Sequence, residues 1–203
     1  MKKQRNLLLG LLAVFLLSSA PAMATPLGLT MDDEPDIAVA FITTAYNAAA
    51  APGATSFTAN GFALDMDHLG NNTIIGGSFD LTAIIDGAGV LGGGSFTIGG
   101  TIAGLGFNSG TLLTGNLTAL GFDPAGGGVL EWLFDVTGGD AAALYDGTGG
   151  IIMADTGFAG AWGADFGNFM ASADVGIVPE PGILLLEALG LTLLVLARRR
   201  RKV

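Results

Sequence analysis

The fold is decided within residues 77–98, which read GSFDLTAIIDGAGVLGGGSFTI. A similar phrase, Gly-Ser-Phe followed by mixed polar and apolar residues, begins at Gly77 and again at Gly94. β-Branched and aromatic residues favour strands, and alternation of polar with apolar residues is typical of a half-buried strand. Between the two phrases, Asp86-Gly87-Ala88-Gly89 has the composition of a hairpin loop. The stretch therefore predicts two adjacent antiparallel strands.

The phrase recurs loosely at residues 110–114, so that the units beginning at Gly77, Gly94 and Gly110 are almost evenly spaced. Short strands at regular spacing, separated by glycine-containing turns, predict an all-β fold, and we expect an antiparallel β-sandwich. A short β-solenoid is the alternative, because a repeat of fixed length is also the signature of that architecture.

Other strands are predicted on both sides of this repeat. Residues 37–46 place Ile37, Val39 and Phe41 on one parity and predict a strand, with a helix running into residues 48–51 as the alternative. Residues 55–66 carry Phe57, Phe62 and Leu64 as their large apolar members, and the last two share a parity.

Downstream, the sequence predicts strands at 129–136, 151–153 and 157–162, and one helical turn at 141–145. Four large aromatic residues near the end are expected to close the core, or alternatively to form an exposed platform for sugar: Phe158, Trp162, Phe166 and Phe169.

The N-terminal segment, 1–24, has the pattern of a secretory signal peptide. A positively charged start is followed by an apolar run over residues 7–17, and Ala22 and Ala24 supply the small residues for cleavage before Thr25. The sequence therefore predicts export, with signal peptidase as a partner. Residues 25–36 form an acidic lead-in, and residues 37–177 form a glycine-rich acidic ectodomain.

The C-terminal segment, 178–203, has three parts in a fixed order. Glu180 stands between Pro179 and Pro181, an apolar run follows at 182–197, and a basic cluster ends the segment. The cluster consists of Arg198, Arg199, Arg200, Arg201 and Lys202. The apolar run predicts one short transmembrane helix, and the basic cluster predicts that its C-terminal side stays in the cytoplasm.

This segment resembles the PEP-CTERM sorting signal of Gram-negative bacteria that make extracellular polysaccharide. Ectodomain phrases such as EWLFDVTGGD at residues 131–140 are similar to those of proteins carrying that signal. The resemblance implies a single-pass intermediate in the inner membrane, processed near Pro179–Pro181 by an exosortase-like membrane transpeptidase. It also implies a final location at the cell surface or in the extracellular matrix.

Charge is divided sharply along the chain. All eight Lys and Arg lie in the two predicted targeting segments, whereas 16 of the 18 Asp and Glu lie in residues 25–178, which gives that region a formal charge of −16 with His68 neutral. Nucleic acid is excluded as a partner because its binding requires basic residues. No Cys is present, so no disulfide supports the fold.

Catalytic patterns are sparse. Without Cys, and with His68 as the single histidine, the sequence indicates no nucleophile constellation, and we expect no catalytic residues and no required cofactor. A carboxylate-dependent glycoside hydrolase is a less favoured alternative. Candidate Ca²⁺ ligands are the loop carboxylates Asp65, Asp67, Asp86 and Asp146.

These patterns favour an exported, non-catalytic surface or matrix protein. A module that binds Ca²⁺ or extracellular polysaccharide is the alternative.

Overall fold

The computed structural model describes residues 25–178, which form nine strands and two short 3₁₀ turns. The strands are β1 (Asp36–Tyr46), β2 (Phe57–Asp67), β3 (Asn71–Thr73), β4 (Ile75–Ile85), β5 (Leu91–Ile102), β6 (Phe107–Phe122), β7 (Leu130–Gly138), β8 (Thr148–Ala154) and β9 (Phe166–Gly176). The 3₁₀ turns are Ala103–Leu105 and Ala142–Leu144. The predicted signal peptide, sorting motif, transmembrane helix and basic cluster lie outside the described residues.

The fold is a closed antiparallel β-barrel of eight strands. Each strand pairs with the next around the ring in the order β1, β2, β4, β5, β6, β7, β8, β9, and β1 pairs with both β2 and β9. The short β3 adds only to the end of β2. The prediction of a β-sandwich is therefore wrong, and so is the solenoid alternative. Strand spacing could not show whether the first and last strands pair with each other.

The local predictions around the repeat are confirmed. The phrases beginning at Gly77 and Gly94 lie in β4 and β5, and residues 86–89 join them as a hairpin loop closed by the Asp86 N–H donating to the Val90 carbonyl at 3.1 Å. The helical turn predicted at 141–145 is present as the second 3₁₀ turn. Residues 37–46 form a strand, not the alternative helix.

The barrel interior is filled by side chains. An eight-stranded barrel has an interior just wide enough for inward-facing residues. Trp132 and Phe57 pack against each other inside it with ring centroids 5.4 Å apart, and both are fully buried. The described residues therefore enclose a packed core instead of a ligand-binding calyx.

Segments from the loops close both ends of the barrel. At the end where β1 begins and β9 finishes, which we call the terminal end, the buried Tyr145 donates a hydrogen bond from its hydroxyl to the Val175 carbonyl at 2.9 Å. At the opposite end, which we call the distal end, Phe158 and Trp162 pack on each other with centroids 4.8 Å apart. The prediction of a strand at 157–162 is wrong, because this segment is a loop that plugs the barrel before β9 begins.

The lead-in lies along the outside of the barrel. The Glu131 carboxylate accepts hydrogen bonds from the N–H groups of Gly28 and Leu29 at 2.9 and 3.2 Å. Gly121 and Gly150 leave room for this segment, since a Cβ at either position would meet Leu27 or Leu29. Residues 25–178 thus close on themselves with a core of their own, which is the organisation of a unit that folds independently.

Candidate functional site

The candidate Ca²⁺ ligands do not converge on one place. Asp65 and Asp67 lie on β2 at the terminal end, and Asp146 follows the second 3₁₀ turn, also at that end. Asp86 lies in the β4–β5 loop at the distal end. Within residues 25–178 no group of three or more His, Asp or Glu side chains has a geometry that could hold a metal ion.

Asp86 has an alternative explanation in turn chemistry. Its Oδ1 accepts hydrogen bonds from the N–H groups of Ala88 and Val90, both at 2.9 Å. Asp and Asn side chains commonly stabilise turns in this way. Asp86 therefore has a structural role in the hairpin that connects β4 to β5.

Backbone amides, not cations, partner several other carboxylates. Asp123 accepts the N–H of Ala125 at 2.8 Å, Asp165 that of Ala48 at 2.7 Å, and Asp140 that of Ser109 at 2.8 Å. The bond from Ser109 lowers the pKa of Asp140. In a domain without Lys or Arg, backbone N–H groups thus stabilise some of the carboxylates by hydrogen bonding.

Asp36 is the most perturbed carboxylate of the described chain. It begins β1, faces Asp67 directly across the β1–β2 pairing, and has Asp174 and Asp65 nearby. Its Oδ1 is buried without a hydrogen-bond partner. Burial, followed by the negative charges of Asp174, Asp67 and Asp65, raises the pKa of Asp36 to about 6. In the sequence Asp36 belongs to the predicted lead-in and shows no sign of this environment, because barrel closure creates it.

The surface of the barrel has clefts at its distal end and over β7 and β8. One, of about 170 Å³, is at the distal end between residues 46–54 and 84–87. The other, of about 190 Å³, is mainly apolar and is lined by Leu133, Phe134 and Val178 among others. Ser56 and Asp86 both line the first cleft, but the Ser56 hydroxyl donates to the Ile85 carbonyl at 2.8 Å and Asp86 Oδ1 accepts the loop N–H groups described above.

The outer surface of β9, β1 and β2 carries an aromatic face, which we define as Phe41, Phe62, Phe169 and Met170. Their side chains are 56%, 57%, 78% and 65% exposed, respectively. The strand register brings them together: Phe62 pairs with Ala40 next to Phe41, and Phe169 and Met170 lie opposite Thr43. Four large exposed apolar side chains thus lie at nearby register positions on three adjacent strands.

A β-bulge turns Phe41 outward. Ile37 and Val39 point into the barrel, so regular alternation would send Phe41 inward as well. Instead the pairing register shifts at Phe41 towards both neighbouring strands, β2 and β9, and the φ of Phe41 is +54°. Ile42 becomes the next buried residue. A left-handed conformation costs a non-glycine residue about 1–2 kcal/mol. The exposed position of the Phe41 ring therefore depends on a strained backbone conformation.

Hydrogen bonds made by Asn168 hold the backbone of β9 next to Phe169. The Phe169 N–H donates to Asn168 Oδ1 at 2.7 Å, and Asn168 Nδ2 donates to the Asp155 carbonyl at 2.6 Å. The buried Thr44 accepts the Asn168 N–H at 2.9 Å. The sequence predicts that Phe169 closes the core with Phe158, Trp162 and Phe166, or alternatively joins them in an exposed platform. Phe158 and Trp162 are buried and Phe166 is partly buried, so Phe169 alone of that group is exposed.

Polar side chains continue outward from the aromatic face in two rows across the barrel. The first row follows the register through Thr43, Asn60, Asp80, Thr97 and Thr114. The second follows it through Thr58, Thr82, Ser95, Asn116, Asp135 and Thr148. Neighbouring strands are about 4.8 Å apart, so each row presents closely spaced hydroxyl, amide and carboxylate groups.

Over residues 25–178, no helix is long and apolar enough to cross a membrane. No protein-family model, curated protein or solved structure matches the chain.

Proposed function

We propose that this chain is an exported, non-catalytic protein of the cell surface or extracellular matrix, carried there by a C-terminal PEP-CTERM signal. In this proposal, signal peptidase removes residues 1–24. Residues 182–197 then hold the protein in the inner membrane until an exosortase-like transpeptidase acts near Pro179–Pro181. The barrel of residues 25–178 is the part delivered outside.

One observation carries the proposal: the barrel coincides with the cation-free part of the chain. Every Lys and Arg lies in residues 1–5 or 198–202, and the barrel occupies only the stretch between those segments. Positive charge flanking apolar runs is the pattern that directs membrane insertion. A folded unit that excludes all such charge is therefore well suited to translocation and release.

The geometry of the terminal end supports the same proposal. Asp36 pairs with Gly176, and the Asp32 N–H donates to the Ile177 carbonyl at 3.1 Å. The segment that enters β1 and the segment that leaves β9 therefore lie side by side. A cut at Pro179–Pro181 would release the barrel without breaking any strand, since β9 ends at Gly176.

The test is the mass and location of the protein in its native cells. We expect an extracellular form that begins near Thr25 and ends near Pro179–Pro181. Replacing Pro179-Glu180-Pro181 with three alanines should leave an unprocessed form in the membrane fraction. Gly163→Ala is the control, because open space surrounds Gly163, and it should be processed normally. Normal release of the triple-alanine variant would refute the sorting role.

A further inference from the structure

The aromatic face presents a large apolar area to solvent. A whole phenylalanine side chain offers about 200 Å², so the exposed fractions of Phe41, Phe62 and Phe169 leave about 400 Å² of ring surface uncovered. A patch of this size is about the largest that a monomeric protein ordinarily exposes, and such patches are often functional. The β1 bulge turns the Phe41 ring outward, and the hydrogen bond from the Phe169 N–H to Asn168 Oδ1 helps to fix the backbone that carries the exposed Phe169 ring.

The face is also free of charge in a strongly acidic domain. None of the 16 carboxylates of residues 25–178 lies within 39–46, 57–64 or 166–173, the parts of β1, β2 and β9 that form it. Its polar neighbours Thr43, Asn60, Asn168 and Ser172 are neutral, and the carboxylate next to them, Asp80 on β4, accepts a hydrogen bond from Asn60 Nδ2 at 2.7 Å. Elsewhere the domain is negative, so an anionic partner would be repelled on approach.

A second copy of the chain is a poor match for this face. Stable protein interfaces bury about 800 Å² on each partner, roughly twice the ring surface available here. Each copy also brings a formal charge of −16 over residues 25–178, which opposes association. The face therefore suits a narrow and uncharged ligand better than another folded domain.

We propose that the aromatic face binds a neutral polysaccharide chain. Sugar rings present C–H groups on their faces and hydroxyl groups on their edges. The faces would pack on Phe41, Phe62 and Phe169, while Thr43 and Asn60, at the start of the first polar row, would hydrogen-bond to the edges. This inference gives the exported barrel a ligand. It rests on the proposed function, because export to the cell surface is what would bring the barrel into contact with a glycan.

The test is native affinity electrophoresis of purified residues 25–178 in gels containing a neutral polymer. Hydroxyethylcellulose, galactomannan and dextran are the probes, and alginate is the anionic control. At least one neutral polymer should slow the wild-type protein and alginate should not. The double variant Phe62→Ala/Phe169→Ala should bind the same polymer at least tenfold more weakly. Val90→Ala removes an exposed apolar side chain in the distal β4–β5 loop, and should bind as wild type does.

Three results would overturn the inference. The first is migration unaffected by all three neutral polymers, and the second is equal retardation of wild type and the double variant. The third is that the wild-type protein binds no polymer but binds phosphatidylcholine vesicles, or self-associates in sedimentation, and that the double variant loses this behaviour. An unchanged far-ultraviolet circular dichroism spectrum shows that the double variant is folded. Because the assay uses the isolated barrel, its result is independent of whether the sorting signal is processed.

Discussion

Asp36 and Asp67 face each other across the pairing that closes the barrel, so that two carboxylates meet where β1 joins β2. Like charges directly opposite each other on adjacent strands destabilise a sheet. Asp174 on β9 and Asp65 on β2 add negative charge to the same place, and Asp36 Oδ1 is buried without a donor. Closure of the barrel therefore carries an electrostatic cost that depends on pH.

The first prediction follows from the sign of that pKa shift. Asp36 titrates at about 6 in the folded protein and near 3.8 when unfolded, so the folded state holds more protons between those values. The contribution of Asp36 to the free energy of unfolding should therefore fall as pH rises from about 4 to about 6.5, and then level off. Because Asp36 is only half-buried, solvent screening reduces the cost to about 1 kcal/mol.

Asp36→Asn isolates this contribution. The variant should be more stable than wild type by about 1 kcal/mol at pH 7.5 and about equal to it at pH 4, as measured by urea unfolding at both values. Asp135→Asn is the control, because that side chain is exposed on the outer surface of β7 and its change should be small at both pH values. Equal stability of Asp36→Asn and wild type at pH 7.5 would contradict the prediction.

A second prediction concerns the whole charge of the barrel. With 16 carboxylates and no Lys or Arg in residues 25–178, long-range interactions between ionised side chains are repulsive when His68 is neutral. Raising KCl from about 20 mM to about 500 mM at pH 7.5 should screen that repulsion and raise the Tm. At about pH 3, where most carboxylates are protonated, the same salt change should have much less effect. A Tm that is independent of KCl at pH 7.5, followed by circular dichroism, would contradict this account.

The third prediction tests the distal plug. Gly89 has a φ of +82°, and a Cβ there would lie 2.6 Å from both Phe122 Cζ and Trp162 Nε1. Gly89→Ala should therefore destabilise the protein by about 2–3 kcal/mol, through backbone strain and overpacking. Gly87→Ala in the same loop is the matched control, because no atom lies within 4 Å of its Cβ position. Urea unfolding followed by tryptophan fluorescence compares the two, and equal midpoints would refute the role of Gly89 in seating Trp162.

Local features of the fold could be predicted from the sequence, whereas closure could not. The Asp86–Gly89 loop and the strands beside it depend on neighbouring residues, whose turn chemistry and alternation are visible in the chain. The pairing of Asp36 with Gly176 joins residues at opposite ends of the domain and leaves no local pattern. The same limitation explains the error at 157–162, where burial of Phe158 and Trp162 in the barrel end decides the conformation.

The candidate site shows a similar division. Asp65 and Asp67 were identified as carboxylates of interest, but Asp36 becomes perturbed only because β1 pairs with β2 and β9. Alternation placed Phe41 on the parity of Ile37 and Val39, which are buried, and a bulge reverses its direction. Since a bulge adds one residue without a distinctive composition here, the exposed aromatic face was visible only in three dimensions.

The last prediction concerns the lead-in that lies along β7. Glu131 accepts the N–H groups of Gly28 and Leu29, so its removal should free this segment without disturbing the barrel. Glu131→Ala should cost about 1 kcal/mol and speed amide hydrogen exchange at Gly28 and Leu29, while exchange within β6 and β7 stays slow. Asp135→Ala, on the same strand, is the matched control and should leave exchange at Gly28 and Leu29 unchanged. Hydrogen exchange measured by mass spectrometry separates the outcomes: unchanged protection in Glu131→Ala would show that packing of Leu27 and Leu29 on Gly121 and Gly150 is sufficient to hold the segment.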